Sequence, residues 1–257
     1  MARYAVVSDV HGNRWALEAV LADARTRNVD ALLQLGDALY GPLDPRGTAA
    51  LLRAPGSSIP CPWHHIRGNQ DRIVYEPSAD VNENASLTFT RDALDEGDIA
   101  WLRALPAAAV VDDIRLCHGT PASDEVYLLE QVTERGVGLR DLASLERLVD
   151  GVRERVLLCG HTHIPRLVSL PSGRASELVI VNPGSVGLPA YADQLPYPHR
   201  MESGSVHARY AVVDVGRTVT VELIGVDYDW ETAAAAATRN GRPDWAVALR
   251  TGRTGSM

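Results

Sequence analysis

Five apolar, β-rich runs in this chain stop in the same way, at an oxygen or imidazole donor with a glycine close by. Tyr4–Ser8 is followed by Asp9 and His11, and Asp30–Gly36 by Asp37. Cys61–Gly68 is followed by Asn69, the run 107–119 ends at His118, and Arg155–Gly160 leads into His161 and His163. The first three runs each precede a helical pattern, over 13–27 (Trp15, Leu17, Val20, Leu21 and Ala24 at helical spacing), 44–54 and 69–77. Repeated strand-then-helix units predict a layered α/β core with parallel strands. Ligands of open α/β sheets bind beyond the carboxyl ends of the strands, so these seven side chains can meet at one edge.

The remaining pattern fills in the layers. Residues 84–106 read as helix, broken near Gly97 and stopped at Pro106, and 107–119 as a hairpin turning at Asp112-Asp113. A helix is expected over 138–152, strands over 155–160, 165–170 and 177–182, and a hairpin over 208–226 turning at Gly216-Arg217. The stretch from Asn182 to His207 is rich in proline and glycine without periodicity, which reads as a functional or mobile loop. The tail is helical over 229–240, interrupted at Gly241 and Pro243, and helical again to about Arg250. With no linker to split it, the chain is expected to form one domain over 1–257, with 228–257 as a C-terminal helical extension.

Composition narrows the partners. A hydrophobic content of 46% over 257 residues supplies a sizeable core. With 33 acidic against 25 basic residues, net −8, and no basic stripe, nucleic-acid binding is not expected, and an anionic substrate must be attracted locally. No apolar run approaches membrane length and no basic-then-apolar leader opens the chain, so the expectation is a soluble, cytoplasmic protein without a membrane partner. Self-association into a homo-oligomer is compatible with the sequence. Three unpaired cysteines argue against a disulfide framework, and Cys117 and Cys159 read as buried small apolar residues.

Mixed histidine, aspartate and asparagine donors suit Mn, Fe, Zn, Co or Ni, with Mn the ion of choice in vitro, whereas Mg or Ca would favour oxygen alone. In Asp9-Val10-His11 and His161-Thr162-His163 the donors are two apart, on one side of an extended chain. Each short motif taken singly reads as a capped strand end. Seven compatible donors together exceed one tetrahedral ion and fit two ions about 3.5 to 4 Å apart, sharing one carboxylate.

The blocks "SDVHGN", "GDALYGP", "GNQD", "CHG" and "GHTH", followed by "NPGSVG", resemble in content and order those of the calcineurin-like metallophosphoesterases, closest to their small bacterial and archaeal phosphodiesterase branch. The likeness runs from Ala2 to about Arg253. It implies an αββα four-layer sandwich, two mixed β-sheets flanked by helices. It also implies one divalent ion held by Asp9, His11, Asp37 and His163, and a second by Asp37, Asn69, His118 and His161, with Asp37 bridging. A hydroxide between the ions would attack phosphorus in line, with Asp37, Asn69, Gln70 and His118 around the reacting group. The activity implied is hydrolysis of a small phosphoester, foremost a phosphodiester. The alternatives are a phosphomonoesterase or nucleotide phosphatase, or a non-catalytic metal-binding module of the same fold.

Two departures bear on substrate. Gln70 stands where much of the superfamily has histidine, and an amide donates hydrogen bonds but no proton near neutrality. Activated leaving groups are therefore expected to be favoured, unless Gln70 points away and bonds the loop. The segment 188–207 has Ala190 where relatives often carry arginine, and holds Tyr191, Tyr197, His199, Arg200 and His207. It is expected to cover the site and set substrate choice, or else to be an ordinary surface loop or oligomer contact. Asp71 either orients the neighbouring loop or caps a helix. Ser8, Asn13, Gly184 and Ser185 fall near the metal edge, and His64 and His65 read as strand residues.

Overall fold

Strand β1 (Ala2–Val7) is apolar on both faces, which places it at the centre of a sheet covered on both sides. Tyr4 and Val6 point one way and Ala5 and Val7 the other, all of them buried. In the computed structural model, which describes residues 1–54, 59–76, 85–170 and 177–255, β1 pairs in parallel with β2 (Ala31–Gln34), and β2 with β3 (Trp63–His65). On its other side β1 meets β13 (Ala208–Val215) antiparallel, and β13 forms a hairpin with β14 (Val219–Val226). The second sheet runs in the order β4 (Ala108–Val111), β5 (Ile114–Cys117), β8 (Val156–Leu158), β10 (Leu178–Asn182), β9 (Arg166–Leu170). Its three central strands are parallel and its edge strands antiparallel.

Three apolar layers follow from this alternation. Between the sheets, Tyr4, Val6, Leu33 and Val213 pack against Leu116, Val156, Leu158 and Val181. Outside the first sheet, Ala5, Val7, Leu32 and Tyr210 share a core with helices α1 (Arg14–Arg25), α2 (Pro45–Arg53), α3 (Asn69–Tyr75), α4 (Ala85–Ala93) and α5 (Glu96–Ala104). The alanines of α7 (Trp230–Arg239) and Trp245 of α8 (Pro243–Thr251) belong to that same core. Outside the second sheet, Cys117, Leu157, Cys159 and Ile180 pack with Leu145 of α6 (Leu142–Leu148). The expected αββα sandwich of two mixed sheets is what forms, and Cys117 and Cys159 are buried apolar residues within it.

The sheets are mixed as expected, with the hairpins 107–119 and 208–226 and strand β9 supplying the antiparallel strands. The structure corrects several boundaries. The helix expected over 84–106 is two helices, and the break lies at Leu94-Asp95 rather than Gly97: Asp95 accepts from the Asp98 amide and caps α5. The helix expected from Gly138 starts at Leu142, because Asp141 caps it through the Ser144 amide while 136–139 form strand β7. β7 (Gly136–Leu139) pairs with β6 (Glu130–Thr133), a hairpin turning at Glu134-Arg135 with a positive-φ Gly136 just after the turn. The stretch 182–207 is also partly ordered, as the hairpin β11 (Ala190–Asp193) and β12 (His199–Glu202). The outer ends of two expected helices, Pro77 and Asn84, lie outside the described residues. No described helix is long and apolar enough to cross a membrane.

Candidate metal centre

The donors sit where strands end and the backbone turns left-handed. Asp9, His11, Asp37, His161 and His163 all have positive φ, between 52° and 70°, five of the seven such non-glycine residues in the described chain. Left-handed backbone disfavours branched and bulky residues and persists where the surroundings enforce it. Those surroundings are a lattice of backbone bonds between neighbouring loops. The Asp9 amide donates to Gly36 O at 3.1 Å, the His11 amide to Asp37 O at 3.0 Å and the Gly12 amide to Ala38 O at 3.0 Å. The loop after β3 presses still closer: a Cβ on Gly68 would lie 2.1 Å from Asp37 Oδ1, and one on Gly36 2.4 Å from the Gly68 nitrogen. Only hydrogen fits at either position.

Two donor groups result. In the first, Asp9 Oδ1 lies 3.3 Å from His163 Nε2 and 3.9 Å from His11 Nε2, and the two imidazole nitrogens are 3.0 Å apart. In the second, His118 Nε2 lies 3.4 Å from Asp37 Oδ2 and 3.1 Å from Asn69 Oδ1, with His161 beside them. Both groups border one cleft of about 190 Å³ that contains His11, Asp37, Asn69, His161 and His163. Every histidine of the two groups is held by a backbone carbonyl: His11 Nδ1 by Tyr40 O, His118 Nδ1 by Leu35 O, His163 Nδ1 by Leu188 O and His161 Nε2 by Glu125 O.

These contacts fit a cation. A carbonyl only accepts, so His11 and His163 carry their protons on Nδ1, and their Nε2 lone pairs face each other across 3.0 Å. Asp9 Oδ1, fully buried beside them, has no hydrogen-bond partner. Three facing acceptors repel unless a positive charge lies among them, a proton in the metal-free chain or an ion in a loaded one. Burial, and then the neighbouring His163 and His118 respectively, hold His11 and His161 at about 4, so both are neutral ligands at pH 7. Burial works against a charge on His118, but Asp37 and then Asp9 outweigh it and push that histidine up to about 10. The proton His118 keeps without metal is the one an ion must displace. Burial raises Asp9 and Asp37, yet His163 and His118 respectively hold both carboxyls below the ordinary range.

The residues around the donors have specific tasks. The Gln70 amide donates to Asp37 Oδ1 at 2.9 Å, while the Gln70 side chain lines the cleft with its buried Oε1 unpartnered, so it is not spent on bonding the loop. Asp71 does both things expected of it. Its Oδ1 accepts from the Ala38 and Leu39 amides beside Asp37, and its Oδ2 from Gly68 at the start of α3. Burial and the nearby Asp37 push it up to about 7. Asn13 caps α1 and donates to Gly187 O, Ser185 donates to Asp9 O, and the Gly184 amide donates to Asn182 Oδ1. None of these three, nor Ser8, lines the cleft.

The segment 188–207 divides. Leu188, Tyr191, Ala192 and Asp193 line the cleft, with the Tyr191 hydroxyl donating to His161 O at 3.0 Å. Tyr197, Arg200 and His207 do not: Tyr197 and Arg200 are exposed, and His207 pairs with Asp227 at 3.0 Å. His199 is buried behind the cleft and holds the Tyr127 hydroxyl at 3.1 Å. His64 and His65 stay in their strand, where burial holds His65 at about 4, its ring against Trp101. Four cleft residues escaped the sequence reading: Tyr40, Tyr127, Arg242 and Trp245. Tyr40 stands inside the "GDALYGP" block and was within reach; the other three carry no local signal.

Comparison with known proteins agrees with this geometry. The model of the calcineurin-like phosphoesterase superfamily domain matches residues 3–198. An uncharacterized protein of Methanocaldococcus jannaschii is 24% identical over 262 residues, 94% of each chain. The crystal structure of a metallophosphoesterase from Sphaerobacter thermophilus superposes with a TM-score of 0.73 at 25% identity, over 97% of this chain and 99% of that one. A hypothetical protein from Pyrococcus horikoshii gives 0.74 at 21% identity, over 99% and 100%. On its ordered sequence blocks and a domain match over most of its length, the chain belongs to the calcineurin-like phosphoesterase superfamily.

Proposed function

We propose that the protein is a dinuclear metal-dependent phosphodiesterase acting on small phosphoesters with activated leaving groups. The observation that carries this reading is the pair of donor groups, Asp9, His11 and His163 against Asp37, His118 and His161, facing one cleft. Asp37 and Asn69 complete the two sets. Two divalent ions held there, Mn first among those this donor set accepts, would supply hydroxide near neutral pH and neutralise phosphoryl oxygens. The chain's own residues fix the donors: carbonyls orient the imidazoles, the Gln70 amide holds one Asp37 oxygen, and Asp71 ties the Asp37 loop to the Asn69 loop.

Charge favours a diester over a monoester. A phosphodiester brings one negative charge and a monoester close to two near pH 7. Beyond the donors, Arg242 is the only lysine or arginine among the described residues of the cleft, and Gln70 is neutral. Gln70 can donate to a phosphoryl oxygen but cannot protonate a departing alkoxide, so aryl esters are the expected substrates.

The test is a titration of hydrolysis against added Mn, with metal content measured in parallel and Asp37→Asn as control. Two ions per chain, rates that rise with loading, and a preference for aryl over alkyl diesters are expected. Equal rates for aryl and alkyl esters would sink the leaving-group argument. Two bound ions without hydrolysis of any ester in a broad panel would leave a binding module instead.

A further inference from the structure

Arg242, the residue that leads into helix α8, brings a cation to the cleft from beyond the matched family domain, which ends at residue 198. The Arg242 guanidinium stands 5.3 Å from the centroid of the Trp245 ring, and Trp245 meets the His11 ring edge-on at 5.8 Å. One indole therefore separates this cation from the donor groups. Arg242 makes no described hydrogen bond to any of the seven donors. Instead its Nε and Nη2 bond Asp244 at 2.9 and 2.6 Å, and Nη1 donates to the buried Ser86 hydroxyl. A guanidinium has five N–H donors, so one on Nη1 and one on Nη2 remain for the cleft. The Asp244 side chain is 60% exposed, and solvent screens its hold on the arginine charge.

We infer that Arg242 is a specificity residue, which takes an anionic group carried by the ester substituent, one ring's width beyond the phosphorus at the metal centre. The inference rests on the phosphoesterase reading above and names its substrate class: phosphoesters bearing a second phosphate or a carboxylate. Ions held at the donor groups would take the scissile phosphoryl oxygens. A second anion on the α8 side meets a guanidinium that Asp244, Ser86 and Trp245 hold in place, so little side-chain freedom is lost on binding. Asp244 competes with that anion for the same fork.

The test is calorimetric titration of the Mn-loaded full chain with glycerol 1-phosphate, 3-phosphoglycerate and propane-1,3-diol bisphosphate. The two ligands with a second anion are expected to bind about 10-fold tighter than glycerol 1-phosphate, a gain typical of one charge-assisted contact. The larger gain of the two identifies carboxylate or phosphate as the preferred group. Arg242→Gln should reduce the advantage to within about 2-fold while leaving glycerol 1-phosphate binding in place, and Asp244→Asn should enlarge it. A purely structural arginine would instead lose stability and ligand binding alike in both variants. Absence of the advantage in the unsubstituted protein, or an equal loss for all three ligands in Arg242→Gln, overturns the inference and leaves the phosphoesterase reading standing. If none of the three ligands binds, the Arg242 inference falls, while the phosphoesterase reading is decided separately by the hydrolysis of aryl diesters in the Mn titration above.

Discussion

Asp37 and Tyr191 stand in the same cleft, yet almost nothing about their support is alike. Asp37 is buried, left-handed, clamped by the Gln70 amide and crowded by Gly68. Tyr191 belongs to a four-residue strand of a two-stranded hairpin, and residues 192–198 beyond it are exposed. The inner wall comes from the ends of strands in two five-stranded sheets, and the outer wall from small hairpins and α8. Rigidity is concentrated where an ion needs fixed donors, and freedom is left where substrates differ.

Substitutions can break this contrast or sharpen it. Asp37→Asn should have the largest effect, lowering hydrolysis at least about 100-fold and shrinking the rise in melting temperature on adding Mn. The metal-free protein should also lose about 1–3 kcal/mol near pH 7, because His118 loses the carboxylate that holds its charge. Gly68→Ala comes next: a methyl 2.1 Å from Asp37 Oδ1 forces the two loops apart. Denaturant unfolding should show a loss of about 1–3 kcal/mol, accompanied by weaker metal uptake. Asp71→Asn sets an NH2 or an oxygen wrongly against one of its amide donors, so a loss of about 1–2 kcal/mol is expected in the same measurement. Tyr191→Phe removes one hydroxyl from the outer wall and should cost about 1 kcal/mol, with metal affinity unchanged and any kinetic change confined to KM. His207→Ala should leave activity where it was. A Tyr191→Phe variant that lost metal, or a Gly68→Ala variant that kept it, would erase the difference between the walls.

The same contrast decides what could be read from the chain. Each donor follows an apolar strand, and five of the seven sit directly beside a glycine, so their place at a sheet edge follows from local pattern and one topological rule. The core strands and α1 were legible for the same reason. The hairpin β6–β7 was not, because its faces are half solvated and its strands only four residues long. β11–β12 hid in a proline-rich stretch whose alternation is weak. Arg242 and Trp245 look like the ordinary start of a short terminal helix. Their role comes from the packing of α7 and α8 against the helical face of the first sheet, a contact far apart in sequence.

The left-handed donors divide the interests of folding and chemistry. At positions 9, 11, 37, 161 and 163 the backbone alone would be more comfortable as glycine, by about 1–2 kcal/mol each. Glycine binds no ion. A variant library sorted for soluble, protease-resistant protein without metal would accept small residues at these five positions, while the same library sorted for retained metal would return histidine and aspartate. Such a pair of libraries would separate what the polypeptide tolerates at these five positions from what an ion requires there.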